Sequence, residues 1–210
     1  MKTALVAGGT GLIGKQLIDL LLADERYTVT ALVRNCLPMQ HPKLTQVTYN
    51  FNNPDKGLVI ADEIFCCLGT TIRVAGSKAA FYKVDYEYVL ETAQIAHSNG
   101  AKKFALVSSM GANKNSNIYY SKTKGAIEEA LTGIGYESLF IMRPSLLLGP
   151  RKDFRLGEKI SKFLMVNFAF LVPKKYKAIQ AGQVAKAMIT CMNNGKTGVH
   201  ILESDGIAAL

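Results

Sequence analysis

The feature that most constrains the fold of this chain is a glycine-rich turn near its N-terminus, GGTGLIG at residues 8–14. It follows a short apolar segment at residues 3–7, which predicts a strand, and it opens a segment whose apolar residues recur at helical spacing. Residues 28–33 are rich in β-branched side chains and predict a second strand. A strand, a turn and a helix that lead into another strand form a βαβ unit, so we expect these two strands to be parallel.

The rest of the chain continues this alternation of strands and helices. Further strands are predicted at residues 44–51, 63–68, 104–107, 138–142 and 199–202, and further helices at residues 79–98, 119–132, 156–166 and 183–192. Strands interleaved with helices indicate an α/β protein with a doubly wound parallel sheet, and the length of 210 residues fits one domain. Ligands of such sheets bind beyond the C-terminal ends of the strands.

The spacing of Gly8, Gly11 and Gly14 predicts a dinucleotide site. A pyrophosphate must approach backbone N–H groups at the N-terminus of a helix, and side chains at the turn would block that approach. The last glycine lets the helix pack closely on the strand. Because the turn lies between a strand and an amphipathic helix, we interpret it as dinucleotide-binding; a tight turn without a ligand is the alternative.

The end of the second predicted strand indicates which cofactor is bound. Sites for NAD usually place an acidic residue about twenty positions after the glycines, where it binds the ribose 2′-OH. This chain has Arg34 twenty positions after Gly14, and neither neighbour of Arg34 is acidic. A guanidinium forms charge-assisted hydrogen bonds with a 2′-phosphate. The sequence therefore predicts NADP(H) in preference to NAD(H), and a solvated loop arginine is the alternative.

Tyr120 and Lys124 are candidate catalytic residues, together with Ser109, which follows the predicted strand at residues 104–107. A tyrosine and a lysine four residues apart on a helix share one face. A nearby ammonium favours the phenolate form, so the phenol can exchange a proton with a carbonyl or an alcohol, whose oxygen a serine can hold. Such pairs are common on helix surfaces, so the prediction depends on the glycine turn. Tyr119 has no lysine four residues later.

Composition argues against several other classes of protein. The four cysteines lack the spacing of metal ligands or of a disulfide framework, so we predict no metal site. No secretory leader pattern is visible and no apolar segment reaches eighteen residues, so we expect a cytoplasmic protein with no membrane partner. A net charge of +9 is not accompanied by a nucleic-acid-binding signature, so no nucleic-acid partner is expected.

The positive charge is concentrated in the last sixty residues, which hold ten of the 25 Lys and Arg but only four of the 16 Asp and Glu. This asymmetry is consistent with an anionic substrate, with a charged partner, or with solubility alone. The apolar residues between positions 163 and 170 predict core or a lid. The basic residues that could line a substrate opening are Lys152, Arg155, Lys159, Lys162, Lys174, Lys175 and Lys177.

Six motifs together resemble the extended and atypical branch of the short-chain dehydrogenase/reductase superfamily. They are GGTGLIG at 8–14, CLGTT at 67–71, KVDYEYVLETA at 83–93, VSSMGA at 107–112, YYSKTKG at 119–125 and RPSLLLGPR at 143–151. Within this branch the chain is most similar to the Tat-interactive oxidoreductase-like proteins and to bacterial NAD-dependent epimerase/dehydratase-like oxidoreductases. The resemblance implies a Rossmann fold with about seven strands. It also implies that residues 1–210 form a single NAD(P)-binding domain, in which residues 151–210 make a reduced substrate-side region.

The resemblance further implies site residues by position. Ser109, Tyr120 and Lys124 match the catalytic triad, and Lys124 would also contact the nicotinamide ribose. Asp85 occupies a position where extended members often have Asn. The implied cofactor contacts are Gly8, Thr10, Gly11, Leu12 and Ile13 at the pyrophosphate, Arg34 at the 2′-phosphate, Asn50 and Phe51 at the adenine, Cys67, Leu68 and Gly69 at the adenosine ribose, and Pro144 and Leu146 next to the nicotinamide. Ser108, Tyr120 and Lys124 are further implied cofactor contacts.

Two functions follow from these residues. The first is an NADP(H)-dependent oxidoreductase, a monomer or homodimer, that transfers hydride to or from a small carbonyl or alcohol substrate. The alternative is an NADPH-binding regulatory or sensor protein with little or no turnover. The retained Ser-Tyr-Lys set favours the enzyme, whereas the short region after the RP motif at residues 143–144 favours the sensor.

Overall fold

The computed structural model describes residues 1–149 and 173–210. Within these ranges seven strands form one sheet, and every strand pair in that sheet is parallel. The bounds of these strands are β1 Lys2–Ala7, β2 Tyr27–Val33, β3 Leu44–Thr48, β4 Glu63–Cys66, β5 Lys103–Val107, β6 Ser138–Arg143 and β9 Gly198–Glu203. Two further strands, β7 Leu147–Leu148 and β8 Ile179–Gln180, form a separate parallel pair. The strand order in the large sheet is β3-β2-β1-β4-β5-β6-β9. The Rossmann-type sheet of seven strands is therefore confirmed.

Helices cover both faces of this sheet and connect its strands. A 3₁₀ turn at Lys56–Leu58 precedes β4, and another at Lys174–Tyr176 precedes β8. The α-helices are α1 Leu12–Ala23, α2 Ile72–Ala75, α3 Lys78–Tyr82, α4 Tyr88–Ser98, α5 Tyr119–Thr132, α6 Ala181–Met192 and α7 Ser204–Ala208. None of the helices within the described ranges is long and apolar enough to cross a bilayer.

The core consists of two apolar layers, one on each face of the sheet. The neighbouring residues Leu5 and Val6 of β1 are both fully buried but belong to opposite layers, because successive side chains of a strand point to opposite faces. Val6 packs in the layer that contains α1 and α6, and Leu5 packs in the layer that contains α4 and α5. Burial on both faces explains why β1 and β4 are almost continuously apolar.

The topology places a ligand site between β1 and β4. From β1 the chain runs outward through β2 to β3, and it then returns to β4 on the other side of β1. Such a reversal opens a crevice at the C-terminal ends of the two central strands, which is where open α/β sheets bind ligands. The glycine turn follows β1, and the loop that begins with Cys67 follows β4.

The helix predicted at residues 79–98 is present but contains a π-helical turn. This turn, Lys83–Glu87, joins α3 to α4 without a break, and the Tyr88 N–H donates to the carbonyl of Lys83, five residues earlier. A π-turn inserts one extra residue into a helix and commonly marks a functional site. Asp85 lies in this turn and is fully buried.

Several boundaries differ from the sequence predictions. The strands predicted at residues 44–51 and 63–68 end earlier, at Thr48 and Cys66, and the remaining residues form loops at the C-terminal edge of the sheet. The short helices α2 and α7 and the β7–β8 pair were not predicted.

Some predictions fall on residues that the structure does not describe. They are the helix at residues 156–166, the apolar residues at 163–170 and the basic residues Lys152, Arg155, Lys159 and Lys162. That residues 1–210 form a single domain, with residues 151–210 as a reduced substrate-side region, stays a prediction.

Candidate active site

The glycine turn adopts a conformation that only glycine suits. Gly8 has a φ of +84°, in the left-handed region, and its carbonyl accepts a hydrogen bond from the Gly11 N–H at 3.0 Å. A Cβ atom at Gly8 would lie 2.5 Å from the carbonyl carbon of Cys67, and one at Gly14 would collide with the Gly8 carbonyl. The turn therefore touches the loop after β4 backbone to backbone, and it starts α1 at Leu12.

The N-terminus of α1 offers unpaired backbone donors to an anion. The N-cap residue is Gly11, which has no side chain to accept from the first N–H groups of the helix, and no acidic residue lies in the first turn. The first N–H groups of a helix have no partner within it, and the helix dipole places partial positive charge there. These donors fit the pyrophosphate of a dinucleotide.

A cavity of about 240 Å³ lies between this turn and the ends of β4, β5 and β6. It brings together residues that are far apart in the sequence, including the predicted Ser-Tyr-Lys set. The predicted residues that line it are Gly11, Leu12, Ile13, Cys67, Leu68, Gly69, Ser108, Ser109, Tyr120, Lys124, Pro144 and Leu146.

The remaining predicted residues lie outside this lining. Gly8 and Thr10 belong to the glycine turn itself, and Thr10 is exposed. Arg34 is exposed directly after β2, at the same C-terminal edge of the sheet, and it makes no ion pair within the described ranges. Asn50 is exposed and accepts the Asn52 N–H, whereas Phe51 is buried and stacks on the Tyr88 ring at 5.4 Å.

The structure distinguishes Tyr120 from its neighbour Tyr119. Tyr120 lines the cavity, and its ring stacks on Phe81 with 5.3 Å between the ring centroids. Tyr119 donates its hydroxyl proton to the carbonyl of Lys78 at 3.3 Å, and the Lys78 ammonium lies over its ring. The hydroxyl of Tyr120 makes no hydrogen bond to any described residue, so it is the tyrosine available for chemistry.

Lys124 lies one helical turn after Tyr120 and pairs with a carboxylate. Its ammonium is 2.7 Å from Asp85 Oδ1, and both side chains are almost completely buried. Burial alone would lower the pKa of Lys124, but the charge of Asp85 and the proximity of Tyr120 outweigh it, so the pKa is raised. The other oxygen, Asp85 Oδ2, accepts the Thr70 N–H at 2.8 Å.

The two adjacent serines have different environments. Ser108 is buried and donates its hydroxyl proton to Glu128, which also accepts two guanidinium N–H bonds from Arg143. Ser109 is half-buried and donates only a longer 3.2 Å bond to the Met110 carbonyl. The Ser108 hydroxyl is thus committed to a structural network, whereas the Ser109 hydroxyl can turn to a ligand.

Sequence reasoning missed five residues that line the cavity: Thr70, Asp85, Val107, Ser145 and Leu147. For Asp85 the resemblance indicates only that extended members often have Asn at this position, and it assigns no role to the carboxylate. A stronger signal was available, because Phe81, Asp85 and Val89 recur at intervals of four and all three are buried. A carboxylate on the apolar face of a helix needs a partner, so this spacing points to a buried cation.

Comparison with known proteins gives one family. The chain matches the NAD(P)H-binding family over residues 8–195. Protein HTATIP2 of Rattus norvegicus is 29% identical, with 100% of this chain and 89% of the relative covered. The mitochondrial protein FMP52 of Candida glabrata is 33% identical, with 80% of this chain and 74% of the relative covered.

The fold is also similar to that of solved epimerases. UDP-glucuronic acid 4-epimerase from Bacillus cereus, solved in complex with NAD, is 12% identical, with a TM-score of 0.71 and with 96% of this chain and 76% of that chain covered. At this identity the likeness concerns the fold alone. The relatives and the fold together confirm the resemblance to extended short-chain dehydrogenases/reductases.

These relatives correct the expected location. Several fungal FMP52 proteins that the chain resembles are named mitochondrial, which contradicts the expectation of a cytoplasmic protein. The expectation rested on unpaired cysteines and on the lack of a secretory pattern. Unpaired cysteines do not distinguish one reducing compartment from another.

Proposed function

Because the chain belongs to the NAD(P)H-binding family of extended short-chain dehydrogenase/reductase-like proteins, we propose that it is an NADP(H)-dependent oxidoreductase. It transfers hydride between the nicotinamide and a small carbonyl or alcohol substrate. The observation that carries this proposal is that Ser109, Tyr120 and Lys124 line the same cavity as the glycine turn. A pyrophosphate-binding turn and a proton-transfer group at one cavity are what hydride transfer to a carbonyl requires.

Each of the three side chains has a separate task. When bound, the nicotinamide supplies or accepts the hydride. Ser109 Oγ donates a hydrogen bond to the substrate oxygen, and Tyr120 Oη gives that oxygen a proton in reduction or removes one in oxidation. Lys124 holds its ammonium close to the tyrosine and would also contact the nicotinamide ribose of a bound cofactor. The apolar Leu146 and Leu147 at the cavity wall limit access of water.

The proposed preference for NADP(H) is supported by Arg34. Its side chain is exposed at the end of β2, next to β1 and the glycine turn, where the adenosine ribose of a dinucleotide lies in doubly wound folds. The neighbouring residues Val33 and Asn35 carry no charge that would compete for the guanidinium or repel a phosphate.

An anionic substrate is part of the proposal. The carbonyl of Lys177 accepts a hydrogen bond from Ser145, which lines the cavity, so the segment that carries Lys175 and Lys177 lies at the cavity edge. Both lysines are exposed. Positive charge beside an opening raises the local concentration of carboxylated or phosphorylated molecules.

The test is NADPH oxidation with a panel of aldehydes, ketones and keto acids, measured for the wild type, Tyr120→Phe and the matched control Tyr119→Phe. We expect Tyr120→Phe to lose turnover while it retains NADPH binding, measured by cofactor fluorescence. Tyr119→Phe should keep both. Normal NADPH binding without turnover on any substrate would favour the sensor function instead.

A further inference from the structure

Asp85 is a buried carboxylate that the three proposed catalytic side chains do not account for. It lies in the π-helical turn between α3 and α4, and it is fully buried on the face shared by Phe81 and Val89. A charged side chain in such a place is costly unless it is paired, and π-turns commonly mark functional sites. The question is what its charge does at this cavity.

The carboxylate connects three segments of the cavity wall. Oδ1 is 2.7 Å from Lys124 Nζ, which belongs to α5. Oδ2 accepts a hydrogen bond of 2.8 Å from the N–H of Thr70, which belongs to the loop after β4. Gly69 of that loop leaves room for the pair, since a Cβ there would lie 3.3 Å from Asp85 Oδ1 and 3.5 Å from Lys124 Nζ. The ammonium is therefore held in place by Asp85 before any ligand binds.

The charge balance around the pair is simple. From β4 the nearby titratable group is Cys66, and burial raises the pKa of its thiol to about 12, so it is neutral. From α3 the neighbour is the apolar ring of Phe81, and from α5 the groups are Lys124 and Tyr120. Burial likewise raises the pKa of the Cys67 thiol, which lines the same cavity, so this thiol is neutral as well. The charges set against Tyr120 here are thus those of the Asp85–Lys124 pair.

An unpaired ammonium beside a phenol stabilises the phenolate, and a carboxylate at the ammonium cancels most of that effect. Oxidation of an alcohol needs Tyr120 as a phenolate that accepts a proton, whereas reduction of a carbonyl needs it as a phenol that donates one. Whether the site favours carbonyl reduction or alcohol oxidation at neutral pH therefore depends on the charge next to Lys124.

We propose that Asp85 is a positioning residue that holds Lys124 and offsets its charge, so that Tyr120 acts as a proton donor and the site works as a carbonyl reductase at neutral pH. This inference rests on the proposed function. In the forward step the carbonyl carbon gains a hydride from the reduced nicotinamide, which is oxidised, and the C=O π bond breaks. The substrate oxygen takes the proton of Tyr120, which then regains a proton from water.

The test compares the wild type with Asp85→Asn, which keeps the size of the side chain but removes the charge, and with Glu87→Gln as a control on an exposed residue of the same turn. The readout is the pH profile of kcat/KM for NADPH-dependent carbonyl reduction. We expect the alkaline limb of the profile to move to lower pH by about one unit in Asp85→Asn, because the Lys124 ammonium then acts on Tyr120 without a carboxylate that offsets its charge, and a nearby opposite charge favours the phenolate. Asp85→Ser should move it in the same direction, and Glu87→Gln should not move it.

A spectroscopic titration separates this inference from the proposed function. The ultraviolet signal of the Tyr120 phenolate is obtained by subtracting the spectrum of Tyr120→Phe, in the wild-type and in the Asp85→Asn background. We expect the signal to appear at lower pH without Asp85. Superimposable pH profiles and titrations in folded, NADPH-binding variants would overturn the role of Asp85 while leaving the oxidoreductase intact. A shifted titration in a protein without turnover would support the charge offset and overturn the proposed function.

Discussion

The backbone of Gly8 lies directly against the carbonyl group of Cys67, so the turn after β1 and the loop after β4 meet without an intervening side chain. This contact lies at the crevice where the strand order reverses. The turn needs glycine at position 8 for two independent reasons. One is the left-handed φ of +84°, and the other is the lack of space for a Cβ atom.

The first prediction separates these two reasons. Gly8→Ala is compared with Gly76→Ala, because Gly76 has the same φ of +84° but nothing within 4 Å of its Cβ position. The left-handed conformation costs an alanine about 1–2 kcal/mol. We expect Gly76→Ala to lose about that much free energy of unfolding in urea, and Gly8→Ala to lose clearly more and to lose NADPH binding. Equal losses in the two variants would show that the Cys67 contact has no energetic weight.

The second prediction concerns the choice of cofactor. Arg34→Ala should raise the Kd for NADPH roughly tenfold or more, because a charge-assisted bond to the 2′-phosphate is lost, and should hardly change the Kd for NADH. The matched control is Arg26→Ala, which changes an arginine at the other end of β2 that pairs with Asp24. Fluorescence titrations with both cofactors measure the effect. Similar losses for NADPH and NADH would remove Arg34 from the 2′-phosphate site.

The elements of the fold were predictable because their signals are local. Alternating β-branched residues in β2 and the helical spacing after Gly14 lie within short windows, and the βαβ rule converts them into parallel strands. The shared face of Tyr120 and Lys124 on α5 was predictable for the same reason, since the two residues are one turn apart.

The partners of buried charges were not predictable, because they depend on which elements meet in three dimensions. Asp85 and Lys124 are 39 residues apart, and no local pattern connects them. Glu63 opens an apolar strand and gives no sign in the sequence of its contacts with Lys2 and Tyr27. The π-turn that aims Asp85 at the cavity also leaves no periodic signal, because a single extra residue in a helix is too small a change to detect.

The third prediction compares two buried tyrosines that differ in their hydrogen bonds. Tyr27 donates to Glu63 at 2.7 Å and accepts from Asn193 at 2.6 Å, whereas the hydroxyl of Tyr49 has no partner among the described residues. Tyr27→Phe leaves the buried Glu63 Oε2 without its hydrogen-bond donor, whereas Asn193 Nδ2 keeps its bond to the Ile189 carbonyl, and the change should cost about 1–3 kcal/mol. Tyr49→Phe should be neutral or stabilising. Urea unfolding measures both, and an equal loss at Tyr49 would contradict this assignment.

The fourth prediction follows from the pKa of Tyr49. Burial, followed by the charges of Glu91 and Asp55, raises its pKa to about 12. The folded state therefore favours the protonated form more strongly than the unfolded chain does, where the pKa is near ~10. This contribution to the free energy of unfolding is fully present below pH ~10 and is lost as the pH rises towards 12. In Tyr49→Phe the decline between these pH values should be shallower, and an unchanged slope would rule out this source.

The fifth prediction concerns the adjacent serines, Ser108 and Ser109, which differ in what holds their hydroxyl groups. Ser109→Ala removes the donor that we propose for the substrate oxygen, so we expect kcat to fall about 10²-fold while the midpoint of thermal unfolding stays unchanged. Ser108→Ala removes one hydrogen bond from Glu128, which Arg143 still holds, so we expect a loss of about 1–2 kcal/mol in stability and a small change in kcat. Steady-state kinetics and thermal melts of the two variants distinguish the roles. The reverse pattern would place Ser108 at the reacting oxygen, and it would require the Ser108–Glu128–Arg143 network to open when substrate binds.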